Sequence, residues 1–458
     1  MVGRPALAEW VAAAIIILAA LFSLSLNLPG HLSYDSVVQL AEGRAGDYSG
    51  YHPLVMSWLL GIADAIRPGA ALFVVFDTAL IAGALLAFVL LGRGRSWAAP
   101  ALAAACAASP QLLIYPAIVW KDVLFAGSAT AGFACLALAA TAWERPARRY
   151  LLLGAGLLLV TLAALSRQNG AIILPFTAGG VGWIAARTAA SARRGWAAGL
   201  GFLTASALIA LGATAALNSR SDREPVAREQ WENLRTWDIV SALTLEPRME
   251  LTVLHARAPW LETLLRTDGV ALYSPIRADS LEGVLTRMEA RAGSAGLIAA
   301  QWRQTVLRHP LTYLRARARA FGWVLLTPAA KDCVLVFTGL DGPRDEMGTL
   351  GLVRRRTPRD RGLANYALAF AGTPVYSHAA YGAIGLVLLA ALARRRRPAD
   401  IVVAAMLASA LAFALSFAVI SISCDYRYIY YLDLAVMAGA LYGAATWNPG
   451  AGSAAPGR

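Results

Sequence analysis

Lysine is nearly missing from this chain: of its 41 basic residues only Lys121 and Lys331 are lysines, and the rest are arginines. Charge of any kind is scarce, at 15% of 458 residues against 58% hydrophobic ones, and the mean hydropathy is +0.54. That balance excludes a soluble protein of this length built on one buried core. Cysteine is sparse as well. Cys106, Cys135, Cys333 and Cys424 show no CxxC spacing and no paired histidines, which argues against a zinc site and leaves Cys106 and Cys135 as packing residues. A disulfide between Cys333 and Cys424 is an open alternative. No small-residue cleavage site follows the first apolar run, so that run is expected to stay as an anchor. No internal repeat is visible, which counts against the architecture common among secondary transporters. Acidic residues are outnumbered, giving a net charge of +13, yet the excess arginine sits beside apolar runs, where topology and lipid headgroups account for it. Nucleic acid is therefore not an expected partner; membrane lipids are.

What the chain does have is long apolar runs. Stretches of about 20 apolar residues, the length a helix needs to cross hydrocarbon, are expected. They fall near 8 to 28, 69 to 92, 97 to 114, 122 to 142, 149 to 165, 170 to 187, 196 to 217, 372 to 392, 399 to 420 and 427 to 446. The expected fold is an all-α polytopic membrane protein with about ten spans. Arginine is retained on the cytoplasmic face, and the connections holding Arg93 and Arg95, Arg145 with Arg148 and Arg149, Arg187 with Arg193 and Arg194, and Arg394 to Arg397 are strongly basic. They alternate with connections at 115 to 121, 166 to 169 and 421 to 426 that carry at most one basic residue each. This pattern places both termini in the cytoplasm, in a multi-pass protein of the inner (plasma) membrane.

Composition divides the chain into an N-terminal membrane module at 1–217, an extracytoplasmic or interfacial segment at 218–371, three C-terminal spans at 372–446 and a disordered Gly, Ala, Ser and Pro tail at 447–458. The first module is interrupted by an outer loop at 29–68, broken by Gly43, Gly46 and Gly50. The stretch 54 to 66 inside it is too short to cross and is expected at the interface. The middle segment turns polar and is punctuated by Trp231, Trp237, Trp260 and Trp302. It reads as amphipathic helices, including 281 to 292 and 297 to 321, the second kinked or restarted at Pro310. An eleventh span at 320 to 338 is disfavoured, because Pro328, Lys331 and Asp332 interrupt it.

Threaded this way, the unusual polar residues at the span ends fall on one side: Asp35, His52, Lys121, Asp122, Arg167, Asn169, Asp425 and Arg427 all face the extracytoplasmic surface. Charges at span ends are costly unless paired or solvated, so their convergence from four connections points to a site. Asp35 reads either as the cap of a helix starting near Ser36 or as a carboxylate that accepts a hydroxyl proton or holds a metal. His52, before Pro53, either caps a helix or shares the site of Asp35. Lys121 reads as a point-charge phosphate contact or as an interfacial anchor beside Asp122. Arg167 lies in the turn Ser166-Arg167-Gln168-Asn169-Gly170, where Asn169 and Gly170 serve the backbone, and its fork suits a phosphate or a carboxylate such as Asp122. Arg427 pairs locally with Asp425 or makes a second phosphate contact, while the neighbouring tyrosines fit an interfacial belt.

Taken together, these residues resemble the GT-C superfamily of membrane glycosyltransferases. The likeness is carried by Tyr34-Asp35-Ser36, His52-Pro53, Lys121-Asp122, Arg167-Gln168-Asn169-Gly170, Trp237-Asp238, His309-Pro310-Leu311-Thr312-Tyr313-Leu314 with Arg315, and Arg427-Tyr428. The chain departs from the protein mannosyltransferases and oligosaccharyltransferases in lacking a WWDxG-type motif. The resemblance implies an inverting transfer of a hexosyl or pentosyl group from a polyprenyl-phosphate-linked donor to a lipid, glycan or protein acceptor on the extracytoplasmic face. It assigns Asp35 as the catalytic acidic residue and Lys121, Arg167 and Arg427 as cations near the carrier phosphate, with His52, Asp122 and Asn169 at the same site. A divalent cation is an option within it. The alternatives are a lipid-linked-glycan polymerase, ligase or flippase, and then a secondary transporter.

Overall fold

The computed structural model describes residues 6–48, 52–92, 94, 96–188, 191–219, 227–277, 279–291, 293–327 and 333–447. Gly50, Arg93, Arg95, Pro328, Lys331, Asp332 and the tail from 448 onward lie outside the described residues. The first module runs α1 (Leu7–Asn27), α2 (Tyr34–Ala45), α3 (Leu54–Ile66), α4 (Ala71–Leu90), α5 (Ala98–Ala107), α6 (Pro110–Leu113), α7 (Lys121–Thr141), α8 (Pro146–Ser166), α9 (Leu174–Thr188) and α10 (Ala192–Asn218). The middle segment holds α11 (Ala227–Leu245), α12 (Thr252–Arg257), α13 (Pro259–Leu264), α14 (Val270–Leu272), α15 (Glu282–Glu289), α16 (Ser294–Arg308), α17 (Pro310–Leu326), α18 (Arg344–Leu350) and α19 (Pro358–Leu368). The chain closes with α20 (His378–Arg395), α21 (Pro398–Ile420) and α22 (Tyr430–Thr446).

Among the described residues, eight helices are long and apolar enough to cross a membrane: α1, α4, α7, α8, α9 with the turn before it, α10, α21, and α22 with the turn before it. The protein is thus an all-α, multi-pass membrane protein, with fewer straight spans than the ten expected. The run at 97 to 114 is a bent pair, α5 and α6, whose axes differ by 72°. The break falls where Ser109 is extended (φ −76, ψ 146) before Pro110, whose ring and missing N–H bar a continuous helix. The run at 372 to 392 is shortened too. Gly372 adopts φ +77 and Pro374–Tyr376 form a 3-10 turn, so the helix starts only at His378 and is not among the eight. The stretch 297 to 321 is two helices that meet at His309-Pro310, and 281 to 292 contracts to α15.

The bent pair nevertheless runs the length of the bundle. Gly94 N–H donates to Ala445 O at one end of α22 (2.7 Å), and Tyr430 Oη at the other end donates to Gln111 O (2.8 Å). The arginine-bearing connections share the first of these ends: Arg187 Nη1 donates to Arg396 O (3.2 Å), and Arg395 Nη2 to Thr446 Oγ1 (2.9 Å). The sparsely charged connections meet at the opposite end.

Helix α7 is the hub, with 89% of its apolar window buried. Lipid gives helices no hydrophobic reason to associate, so close backbone approach must hold them, and α7 supplies it with small residues. A Cβ added at Gly132 would lie 2.6 Å from Val160 Cγ1 of α8. The same logic joins α2 to α3, where a Cβ on Gly43 would lie 2.2 Å from Ser57 O. The middle segment has a separate apolar core in which Trp237, Val240 and Leu243 of α11 pack with Leu254, Leu261, Val284 and Ile298. The Cys333–Cys424 disulfide is formed, with a Cα–Cα distance of 5.3 Å, and ties this segment to the connection before α22. Cys106 is buried and Cys135 half-buried within the bundle.

With Cys106 and Cys135 replaced by alanine, a membrane-impermeant maleimide added to intact cells is expected to label Ala45→Cys, exposed at the end of α2, and to spare Arg394→Cys, exposed at the end of α20. Labelling of position 394 alone would invert the topology.

Candidate functional site

The end of the bundle opposite the arginine connections is built around the start of α7. Residues 31 and 32 run as short extended pieces between two others: His31 N–H donates to Ala117 O (2.9 Å), Val119 N–H to His31 O (3.0 Å), Leu32 N–H to Gly339 O (3.0 Å) and Asp341 N–H to Leu32 O (3.0 Å). Gly339 is required there, since it sits at φ +99 and a Cβ would meet Arg355 O at 2.6 Å. This clamp aims the start of α2 at the start of α7. Ser33, not Asp35, caps α2 by a capping box with Ser36, and Trp120 Nε1 donates to Ser33 Oγ (2.9 Å). The capping role considered for Asp35 is therefore taken by its neighbour. Its carboxylate, in the first turn of α2, is directed elsewhere.

It meets Arg427. The guanidinium Nη1 lies 3.0 Å from Asp35 Oδ2, Nε lies 2.8 Å from Asp425 Oδ2, and Asp122 Oδ2 is 4.0 Å from the same Nε. The indole of Trp120 supports the guanidinium at 4.9 Å from the ring centre. Behind it, Arg167 pairs with Asp122, both buried, and is ringed by Phe413, Phe417 and Tyr428 with centroids 5.5 to 5.8 Å away. On the other flank Lys121 Nζ donates to His52 Nδ1 (3.2 Å), and His52 Nε2 faces Asp35 Oδ1 at 3.9 Å. Because Nδ1 accepts from an ammonium, the ring proton of neutral His52 belongs on Nε2, pointing at Asp35.

Six of the seven candidate residues thus join one cluster: Asp35, His52, Lys121, Asp122, Arg167 and Arg427. Asn169 does not. Its Nδ2 donates to Ser416 Oγ (2.8 Å), which fixes the turn after α8 against α21. Of the two readings of Arg427, the local pair with Asp425 is formed, and the same guanidinium also reaches Asp35 across the bundle. The carboxylates fit a divalent cation poorly, because each is already engaged by a guanidinium, and among the described residues no group of three His, Cys, Asp or Glu side chains converges to hold one.

The sequence did not single out Trp120, and the tyrosines around the start of α22 lie elsewhere than expected. Tyr426, Tyr430 and Tyr431, expected in an interfacial belt, are buried, and Tyr428 stacks on Phe417 (5.6 Å) between the two arginines. Trp237 is buried in the second core, and Trp302 Nε1 donates to Asp238 Oδ2 (2.8 Å). Beneath the site is a buried network with no clear mark in the sequence. His378 Nδ1 meets Asp433 Oδ1 (2.9 Å), Tyr426 Oη donates to Asp433 Oδ2 (2.5 Å), and Gln111 Nε2 donates to Tyr426 Oη (2.7 Å). The His378 Nε2–H donates to Tyr426 O (3.1 Å), one residue before Arg427.

Electrostatics sharpen the picture. Burial alone would raise the Asp35 carboxyl, but Arg427, then His52 and Lys121, outweigh it and hold it at about 2. Burial pushes Asp425 up despite Arg427. Burial, then the Lys121 charge, pushes His52 down to about 3. Burial likewise takes His31 to about 4; this ring accepts from Gly339 N–H at Nδ1 (3.0 Å) and donates from Nε2 to Asn27 Oδ1 (2.9 Å).

No protein-family model matches the chain, and no curated protein matches it in sequence. Two solved structures are similar in fold. One is the archaeal oligosaccharyltransferase AglB from Archaeoglobus fulgidus in complex with an inhibitory peptide and a dolichol-phosphate, at a TM-score of 0.42. The other is the Archaeoglobus fulgidus oligosaccharyltransferase in its apo form, at 0.41. Each is 16% identical to this chain over 94% of it, and the chain spans 50% of their length.

An unfolded chain protonates His52 and His31 near 6.5, whereas the folded chain does so only near 3 and 4. Between about pH 4 and 6.5 the unfolded state therefore binds more protons, so stability falls as pH drops through that window. His52→Gln is expected to remove one proton's worth of this dependence, about 1.4 kcal/mol per pH unit, measured as a flatter apparent Tm between pH 7.5 and 5. An unchanged slope would show that His52 is charged in the fold.

Proposed function

We propose that the chain is an integral membrane glycosyltransferase of GT-C type, moving a sugar from a polyprenyl-phosphate carrier to an envelope acceptor at the extracytoplasmic rim. The observation that carries this reading is the Arg427 guanidinium shared between Asp35 and Asp425, with Arg167 and Lys121 beside it, at the end of the bundle away from the basic connections. A lipid-linked sugar brings its chain into the bilayer and its phosphate to the edge, where cations and the N-termini of α2 and α7 favour an anion. Transporter sites lie near the midplane, whereas this cluster lies at helix ends.

The resting pair also fits a sequence of events. Held at about 2 by Arg427, Asp35 is a weak base. A carrier phosphate that draws Arg427 toward itself loosens that pair and raises the basicity of Asp35 when donor is bound. The acceptor oxygen then attacks the anomeric carbon from the face opposite the phosphate, giving inversion. The sugar–oxygen bond to the phosphate breaks, the carrier phosphate leaves with the electron pair, and Asp35 takes the acceptor proton. His52 Nε2–H steadies the carboxylate, and Arg167 and Lys121 offset the charge on the departing phosphate.

Envelope lipids and glycans from a strain lacking this protein, compared by mass spectrometry, should lose a sugar mass that the wild type restores. Asp35→Asn should leave the amount of membrane-inserted protein unchanged and lower transfer by at least about 100-fold. Restoration by Asp35→Asn but not by Arg427→Gln would instead favour a polymerase, ligase or flippase, in which carrier phosphate is bound without proton removal at Asp35.

A further inference from the structure

Helix α17 is amphipathic in the inverse sense for a water-facing helix. Its protein-facing side carries Ala316, Arg317, Ala320 and Val324, all buried. The opposite side exposes leucines: Leu311 is 69% exposed, Leu314 59% and Leu326 57%, with Leu307 at 79% just before the Pro310 break. At 100° per residue, Leu311, Leu314, Arg315, Ala318, Arg319, Gly322 and Leu326 share one arc of about 140°. Arg315 and Arg319 are exposed on that arc, and among the described residues neither has an ion-pair or hydrogen-bond partner. The helix contains no acidic residue, and among the described residues the two carboxylates that meet it are engaged elsewhere: Asp238 pairs with Arg317 on the buried side, and Glu246 is held by Thr312 and His309 at its start.

The height of this face is fixed by its other side. Arg317 Nη1 donates to Ser421 O (2.7 Å), the first residue beyond α21, so the middle of α17 lies level with the end of a membrane span. Arg315 and Arg319 flank Arg317 at that level, and α17 packs on α21 and α20 of the bundle as well as on α11 of the middle segment. Leucine and arginine on one arc at the rim of a bundle are the composition of a helix seated in the lipid headgroup region, with apolar side chains in the acyl boundary and cations among phosphates.

We propose that the exposed face of α17 is a docking surface for anionic phospholipid, whose headgroup phosphates are held by Arg315 and Arg319 over a leucine bed. The surface is independent of the transfer chemistry. It sits on the back of the residue that holds the connection leading to Asp425 and Arg427.

Full-length protein in nanodiscs of equal phosphatidylcholine and phosphatidylglycerol tests this by native mass spectrometry of the lipids released with it. The wild type should retain phosphatidylglycerol over phosphatidylcholine. Arg315→Gln with Arg319→Gln should lower that ratio by roughly fivefold per arginine, and Arg257→Gln, exposed on α12, should leave it unchanged. If the double variant does not purify, each single variant should show its own roughly fivefold loss. The same ratio in wild type and double variant, or an equal fall in Arg257→Gln, would overturn the proposal.

Discussion

A guanidinium held among carboxylates at the edge of a bilayer is stable only while every member stays in place. Removing one carboxylate leaves charge uncompensated in a medium that solvates it poorly, and removing the guanidinium leaves like charges facing each other. Arg427 is in that position, between Asp35 and Asp425 with Asp122 behind. The connection that carries it is accordingly fixed from several sides. Ser421 O accepts from Arg317, Cys424 N–H donates to Pro275 O (2.8 Å), Cys424 is bonded to Cys333, and Tyr426 O accepts from His378. Those contacts come from the middle segment on one side and from α20 on the other.

The middle segment therefore does more than cover the bundle. Its own core, centred on Trp237 and Val240, orients Asp238, which with Trp302 holds the buried Arg317, and Arg317 in turn holds Ser421. This is a continuous chain of contacts from the second apolar core to the site. It gives α11, α16 and α17 a part in setting the geometry of a cluster whose ion pairs include none of their residues.

Much of this was legible in the sequence because two signals are strong at low resolution. Apolar length marked the spans, and the alternation of arginine-rich and arginine-poor connections sorted them into two ends, which is how Asp35, Lys121, Arg167 and Arg427 could be grouped although they lie far apart in the chain. The fork of Arg167 suits a phosphate or a carboxylate such as Asp122, and in the fold Asp122 is its partner. What stayed hidden depended on contacts. Proline's effect at 110 is local, but whether it breaks a span depends on neighbours, and composition alone reads 97 to 114 as continuous. Tyrosines near a span end look the same whether they face lipid or a protein core, so Tyr426 and Tyr430 were assigned to the wrong side. Asn169 is equally ambiguous, since a polar side chain in a tight turn serves the site or the fold according to what lies opposite, here Ser416.

The cluster at the rim contains three cationic and three carboxylate side chains, Arg427, Arg167 and Lys121 against Asp35, Asp122 and Asp425. Such a group has almost no field beyond a few ångströms, so it exerts little pull on a distant anion and gains little from steering. Under the proposed function, a lipid-linked partner would arrive by lateral diffusion in the plane of the bilayer and be recognised only on contact, when its phosphate replaces carboxylates already held in the right orientation. Encounter would then be governed by lipid mobility, and bulk ionic strength would have little purchase on it.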